Sequence, residues 1–84
     1  MNFARFNLEQ KVGHLLQWTD GWSGEEGGES MWSYSLRLGG SHALLNGWAK
    51  DPKVMNALTS EEKIRLVLAC RKSAESRRRK IQLS

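Results

Sequence analysis

Thr59-Ser60-Glu61-Glu62 fixes the start of a helix more firmly than any other feature of the chain. It is a capping box: the Thr59 hydroxyl is placed to accept from the Glu62 backbone N–H, and the Glu62 carboxylate to reach back. Glu61 and Glu62 also stand at the positive end of the helix dipole. Downstream, Ile64, Val67, Leu68, Cys70 and Ala74 line one side, which predicts a helix over 60–76 docking through its first three turns. Leu66 lies off that stripe, and Cys70 beside it reads as a small buried hydrophobe. Past Ala74 the side changes character. Arg71, Glu75 and Arg78 occupy the sector that Ile64 and Val67 open, so the continuation has no apolar face to dock. Residues 75–84 then read as a basic C-terminal tail that projects or frays, leaving Arg77, Arg78, Arg79 and Lys80 in solvent.

That helix belongs to a chain of 84 residues, which is one small domain over 1–84. A domain of this size buries only about 60–65% of the surface its unfolded chain exposes. One cysteine excludes an internal disulfide, and His14, His42 and Cys70 stand at no metal-site spacing, so neither metal nor cofactor is implied. The core must come from bulk. Trp18, Trp22, Trp32 and Trp48 are each able to bury roughly 150–250 Å². A homodimer is the other common remedy for so small a core. No apolar run reaches a membrane span and the N-terminus has no signal pattern, so the expectation is a cytoplasmic protein with no membrane partner.

Upstream, Asn7 and Gln10 form a box-like cap, followed by Leu8, Val12, Leu15 and Leu16 on one helical stripe. Phe3 and Phe6 extend this helix or fold back as a lid, and Gly13 weakens its middle. Asp20–Glu29 holds four glycines and four acids in ten residues, which makes it a loop. Residues 31–38 fit two periods. As a strand, Trp32, Tyr34, Leu36 and Leu38 face one way. As a helix, Ser30 caps the start and Gly39 stops the end; this is the favoured reading. Ser41 then caps a short helix carrying Leu44, Leu45 and Trp48, and Asp51-Pro52 opens another with Val54, Met55 and Leu58.

The predicted fold is all-α: three to five short helices in one domain, a Gly/Glu-rich loop near 20–30, and residues 60–76 packed across the N-terminal helix. The alternative is α+β, with one strand at 32–38 pairing across a dimer. In that case, with helices at 41–50 and 60–76, the element order resembles a ribbon–helix–helix dimer, with Ser33, Ser35 and Arg37 on the outward, groove-reading side. The thirty preceding residues, the Trp-rich strand and the long stretch between the helices depart from that pattern.

Charge is unevenly spread. Residues 1–30 carry net −3, residues 31–58 net +2 and residues 59–84 net +5, giving the overall +4. A basic last third points to a polyanion. Arg71, Lys72, Arg77, Arg78, Arg79 and Lys80 put six bases into ten residues, a layout rewarded by counterion release on nucleic acid. An acidic protein surface would attract the same cluster. Gly39-Gly40-Ser41-His42 precedes a helix, yet matches no phosphate-loop fingerprint and reads as a turn. Trp22, among Gly, Asp, Ser and Glu, is either a plug over the core or an exposed contact. With no motif that carries a mechanism, the expected function is non-enzymatic: binding to nucleic acid or its processing machinery. The alternative is a protein-binding regulator, an inhibitor or adaptor, using the acidic Trp22 loop or a patch of Trp32, Tyr34 and Arg37.

Overall fold

The computed structural model describes residues 6–24 and 27–83, with side chains through Arg78. Five helices follow in order: α1 (Leu8–Asp20), α2 (Met31–Arg37), α3 (Leu44–Lys50), α4 (Pro52–Asn56) and α5 (Ser60–Leu83). There is no strand among the described residues, and the fold is all-α. The caps form where the local chemistry places them. At α1 the Gln10 N–H donates to Asn7 Oδ1 at 2.8 Å and the Asn7 N–H to Gln10 Oε1 at 2.9 Å. At α5 the Thr59 N–H donates to Glu62 Oε1 at 2.8 Å and the Glu62 N–H to Thr59 Oγ1 at 3.1 Å. Asp51 accepts from the Lys53 N–H at 3.0 Å and Pro52 opens α4, where its missing donor costs nothing.

Residues 31–37 are helical, which overturns the strand at 32–38 and with it the ribbon–helix–helix order. Both ends explain the outcome. Ser30 Oγ accepts the Ser33 N–H at 3.1 Å. Gly39, at φ +85°, lets the chain reverse. The Gly40 N–H then reaches Ser35 O (3.2 Å) and the Gly39 N–H reaches Leu36 O (2.9 Å), a Schellman closure. Helical winding carries Tyr34 and Ser35 into the core and leaves Trp32 and Leu36 outside. The expected Ser41 cap is also corrected. A turn intervenes, α3 begins at Leu44, and Ala43 at its N-cap offers no side-chain oxygen. The buried Ser35 hydroxyl of α2 accepts the Leu45 N–H instead, at 3.0 Å, so one helix caps another.

α1 is the hub, packing against α3, α4 and α5, while α2 leans on α3. Leu15, Leu45 and Val54 are fully buried, with Trp18, Trp48, Tyr34 and Leu58 around them. Leu8 of the α1 stripe is half exposed. Phe6 is a lid, edge-on to Trp48 (5.1 Å) and His14 (5.6 Å); Phe3 lies outside the described residues. Trp22 is a plug, 5% exposed. The carbonyl of Glu29 holds it there, accepting from Trp22 Nε1 at 3.0 Å and from Trp18 Nε1 at 2.6 Å. The loop reaches this position because Gly28 has no Cβ: one would sit 2.8 Å from Gly21 O.

The docking face of α5 is the reverse of the predicted one. Leu66 (5% exposed), Ala69 and Ser73 face the core, whereas Ile64 (61%), Val67 and Leu68 face solvent, and Cys70 is exposed. Apolar residues occupy every position from 64 to 69 except Arg65, so periodicity alone does not choose a side. Small Ala69 and Ser73 do, because they let the α5 backbone approach its neighbour closely. The backbone trace spans 39 × 33 × 18 Å along its principal axes.

Candidate functional site

The capping box and the Leu66–Ala69–Ser73 docking face set the rotation of α5, and that rotation distributes the basic residues. Arg71 and Arg78, seven residues apart, lie on the outward side with Ile64 and Val67. Arg77 follows the docking face at the spacing 66, 69, 73, 77 and lines a groove instead. Lys72 is engaged within the molecule: its ammonium donates to Trp22 O at 2.8 Å, just past the C-terminus of α1, where a cation is favoured. The α5 helix continues through Arg79 and Lys80, whose side chains fall outside the described residues.

Three described acids are held by arginines outside this segment. Arg65 meets Glu61 at 3.2 Å and Asp20 at 3.7 Å. Arg37 grips Glu29 with two nitrogens, Nη2 to Oε1 at 2.7 Å and Nε to Oε2 at 3.1 Å, and its guanidinium lies 4.7 Å over the Tyr34 ring. The Arg37 hydrogen bond holds the Glu29 carboxyl below its ordinary range and pushes Arg37 up. Arg71, Arg77 and Arg78 are exposed and in no ion pair among the described residues. Of the four expected contact residues, Trp22 and Tyr34 are core and Arg37 is paired; Trp32 alone is exposed and free of such ties, at 59%. The Tyr34 hydroxyl donates to Gln17 Oε1 at 3.1 Å with His14 Nδ1 at 3.1 Å, and burial pushes its pKa up.

Two grooves flank α5. One, of about 450 Å³, runs along the C-terminus of α1, with Arg65, Arg71 and Lys72 facing Asp20 and Glu75. The other, of about 610 Å³, lies between α5 and the α2–α3 pair. Trp18 and Met31 line it with Trp32, His42 and Asn46, and Cys70, Ser73 and Arg77 come from α5. Trp32 and His42 stack with ring centroids 4.5 Å apart at 26°. That pairing is invisible in the sequence, since it needs α2 to be a helix and the Gly39 turn to bring residue 42 back onto it. Cys70 and His42 share this groove, but partial desolvation of the otherwise exposed Cys70 pushes its thiol up, away from the thiolate that a nucleophile needs. No group of three metal-ligating side chains gathers among the described residues, and no described helix is long and apolar enough to cross a membrane.

Comparison with family models, curated proteins and solved structures finds no match to the chain.

Proposed function

We propose that the chain is a small cytoplasmic, non-enzymatic protein that binds nucleic acid through the basic part of α5 from Arg71 onward. Arg71, Arg77 and Arg78 supply phosphate contacts, and Arg79 and Lys80 add charge beyond them. One observation carries the reading: Arg71, Arg77 and Arg78 of this segment stand exposed and in no ion pair among the described residues, while the acids Asp20, Glu29 and Glu61 are taken by Arg65 and Arg37. Positive charge left uncompensated on a rigid helix gains most from displacing the counterions of a polyanion. Lys72 contributes less, because leaving Trp22 O would cost it a hydrogen bond.

The test is fluorescence anisotropy with labelled duplex DNA, single-stranded DNA and RNA at several salt concentrations. Wild-type protein binds, and affinity falls steeply with salt. Replacing Arg71, Arg77 and Arg78 with Ala leaves the far-UV circular dichroism intact and flattens the log–log slope by about 0.9 per lost contact on a duplex and about 0.7 on a single strand. Wild-type protein with no salt-sensitive binding to any of the three overturns the proposal.

A second reading, a protein-binding inhibitor or adaptor, is favoured by a separate observation: Ile64, Val67 and Leu68 form an apolar stripe open to solvent beside Arg71. Trp22 and Tyr34 are buried, so such a partner would meet this stripe or Trp32 rather than the acidic loop.

A further inference from the structure

The chain buries Trp18, Trp22 and Trp48 to within 6% exposure, yet leaves Trp32 59% exposed. A domain short of core gains nothing from that placement. The indole is nevertheless held in position: His42 stacks against it, covering one face and fixing the plane of the other. Across the groove stand Arg77, exposed and unpaired among the described residues, and Ser73. Ser73 is only 8% exposed and lines the groove. Asn46 of α3 brings a carboxamide, both donor and acceptor, to the facing wall. The volume of about 610 Å³ falls within the range of small-ligand sites.

We infer that this groove is a stacking subsite for one unpaired base of a single-stranded nucleic acid. The inference rests on the nucleic-acid reading above and adds to it a strand preference and a geometry. The base lies on the open face of Trp32. Asn46 and Ser73 meet its polar edge, and Arg77 takes the adjoining phosphate. A paired base inside a duplex cannot present its face to the indole, so the subsite selects single strands. The groove on the other side of α5 does not compete. It offers no exposed aromatic face to a base, because its Trp22 is buried, and its Lys72 is tied to Trp22 O.

The experiment titrates wild-type protein, Trp32→Ala, Asn46→Ala and Arg77→Ala with a 12-nucleotide single-stranded DNA, the same sequence in RNA, and the duplex DNA. Trp32→Ala weakens both single strands by about 5- to 150-fold and leaves duplex binding unchanged, with the salt slope unaltered. Arg77→Ala flattens the single-strand slope by about 0.7. Indole fluorescence of the wild type is quenched by the single strand, and that quenching is lost in Trp32→Ala. Unfolding of Trp32→Ala would not obscure the answer. Trp32→Phe, which keeps a stacking face, then retains most of the affinity, and Asn46→Ala weakens single strands alone. Single-strand affinity that ignores Trp32 while the triple arginine variant loses it overturns the subsite and leaves the basic-helix reading standing. Equal losses on duplex and single strand overturn the strand preference. Wild-type protein that binds none of the probes overturns both readings.

Discussion

Leu66→Ala and Leu68→Ala, two residues apart on one helix, should behave as different kinds of mutation. Leu66 is 5% exposed and Leu68 is 49% exposed. Truncating a buried leucine removes its transfer free energy and leaves a cavity, together about 2–5 kcal/mol. A domain of 84 residues is stabilised by only about 4–13 kcal/mol in total, so Leu66→Ala removes a large share of it. For Leu68 about half the side chain already sits in water, and truncation opens no enclosed cavity. The loss is at most about 1 kcal/mol, partly offset by the slightly better helix propensity of Ala. Urea unfolding followed by tryptophan emission reads both, because Trp18, Trp22 and Trp48 are buried. With m near 1 kcal/mol/M, expected for a chain this short, Leu66→Ala shifts the midpoint by about 2 M or more, or leaves no folded baseline. Leu68→Ala shifts it by less than about 1 M. Should Leu66→Ala fail to fold, Leu66→Ile supplies a measurable intermediate. A larger shift for Leu68→Ala than for Leu66→Ala would refute the docking face.

Two further outcomes test the loop and its anchor. Gly28→Ala destabilises the fold by forcing a Cβ to 2.8 Å from Gly21 O, whereas Gly13→Ala, with nothing within 4 Å in mid-helix, stabilises it by about 0.5–1 kcal/mol; thermal melts compare the two, and equal effects would refute the close approach at residue 28. Glu29 has a lowered pKa in the folded state, chiefly through the Arg37 hydrogen bond, so its contribution is present above the ordinary glutamate value and lost as pH falls through the lowered one. Glu29→Gln is therefore less stable than wild type at pH 7 and converges with it as pH falls through the lowered folded-state pKa, and a urea-midpoint difference independent of pH would refute the pairing.

The parts of the fold legible in the sequence are those decided within four residues. The Asn7–Gln10, Ser30, Asp51–Pro52 and Thr59–Glu62 caps form as read, because an oxygen two or three residues from an orphan N–H needs no tertiary help. The α3 cap was not legible. Its acceptor, Ser35, lies ten residues upstream of the Leu45 N–H and arrives only through the packing of α2 on α3. Trp22 resisted a decision for a related reason. Nothing beside it is apolar, and the group that fixes it is the backbone carbonyl of Glu29. On α5 the failure was one of degeneracy. A run apolar on nearly all sides permits two opposite faces, and the apolar count favours the one that packing rejects.

That reversal bears on the candidate site more than on the fold. The basic run is legible from composition, but what each base does follows from the rotation of α5. With Leu66, Ala69 and Ser73 inward, Arg77 comes to Trp32 and Lys72 to Trp22 O. With Ile64, Val67 and Leu68 inward, α5 would be turned by about half a revolution. Arg71 and Arg78 would move towards the body, Arg77 would swing away from the Trp32–His42 stack, and the groove would lose its phosphate ligand. The proposed strand preference and the Leu66–Leu68 contrast therefore depend on one structural variable. The basic-helix reading depends on it far less, since a cluster of arginines at the end of a helix attracts a polyanion in either rotation. An unfolding experiment with no nucleic acid present is thus an independent check on the stacking subsite, and it leaves the general affinity for polyanions to be decided by salt dependence alone.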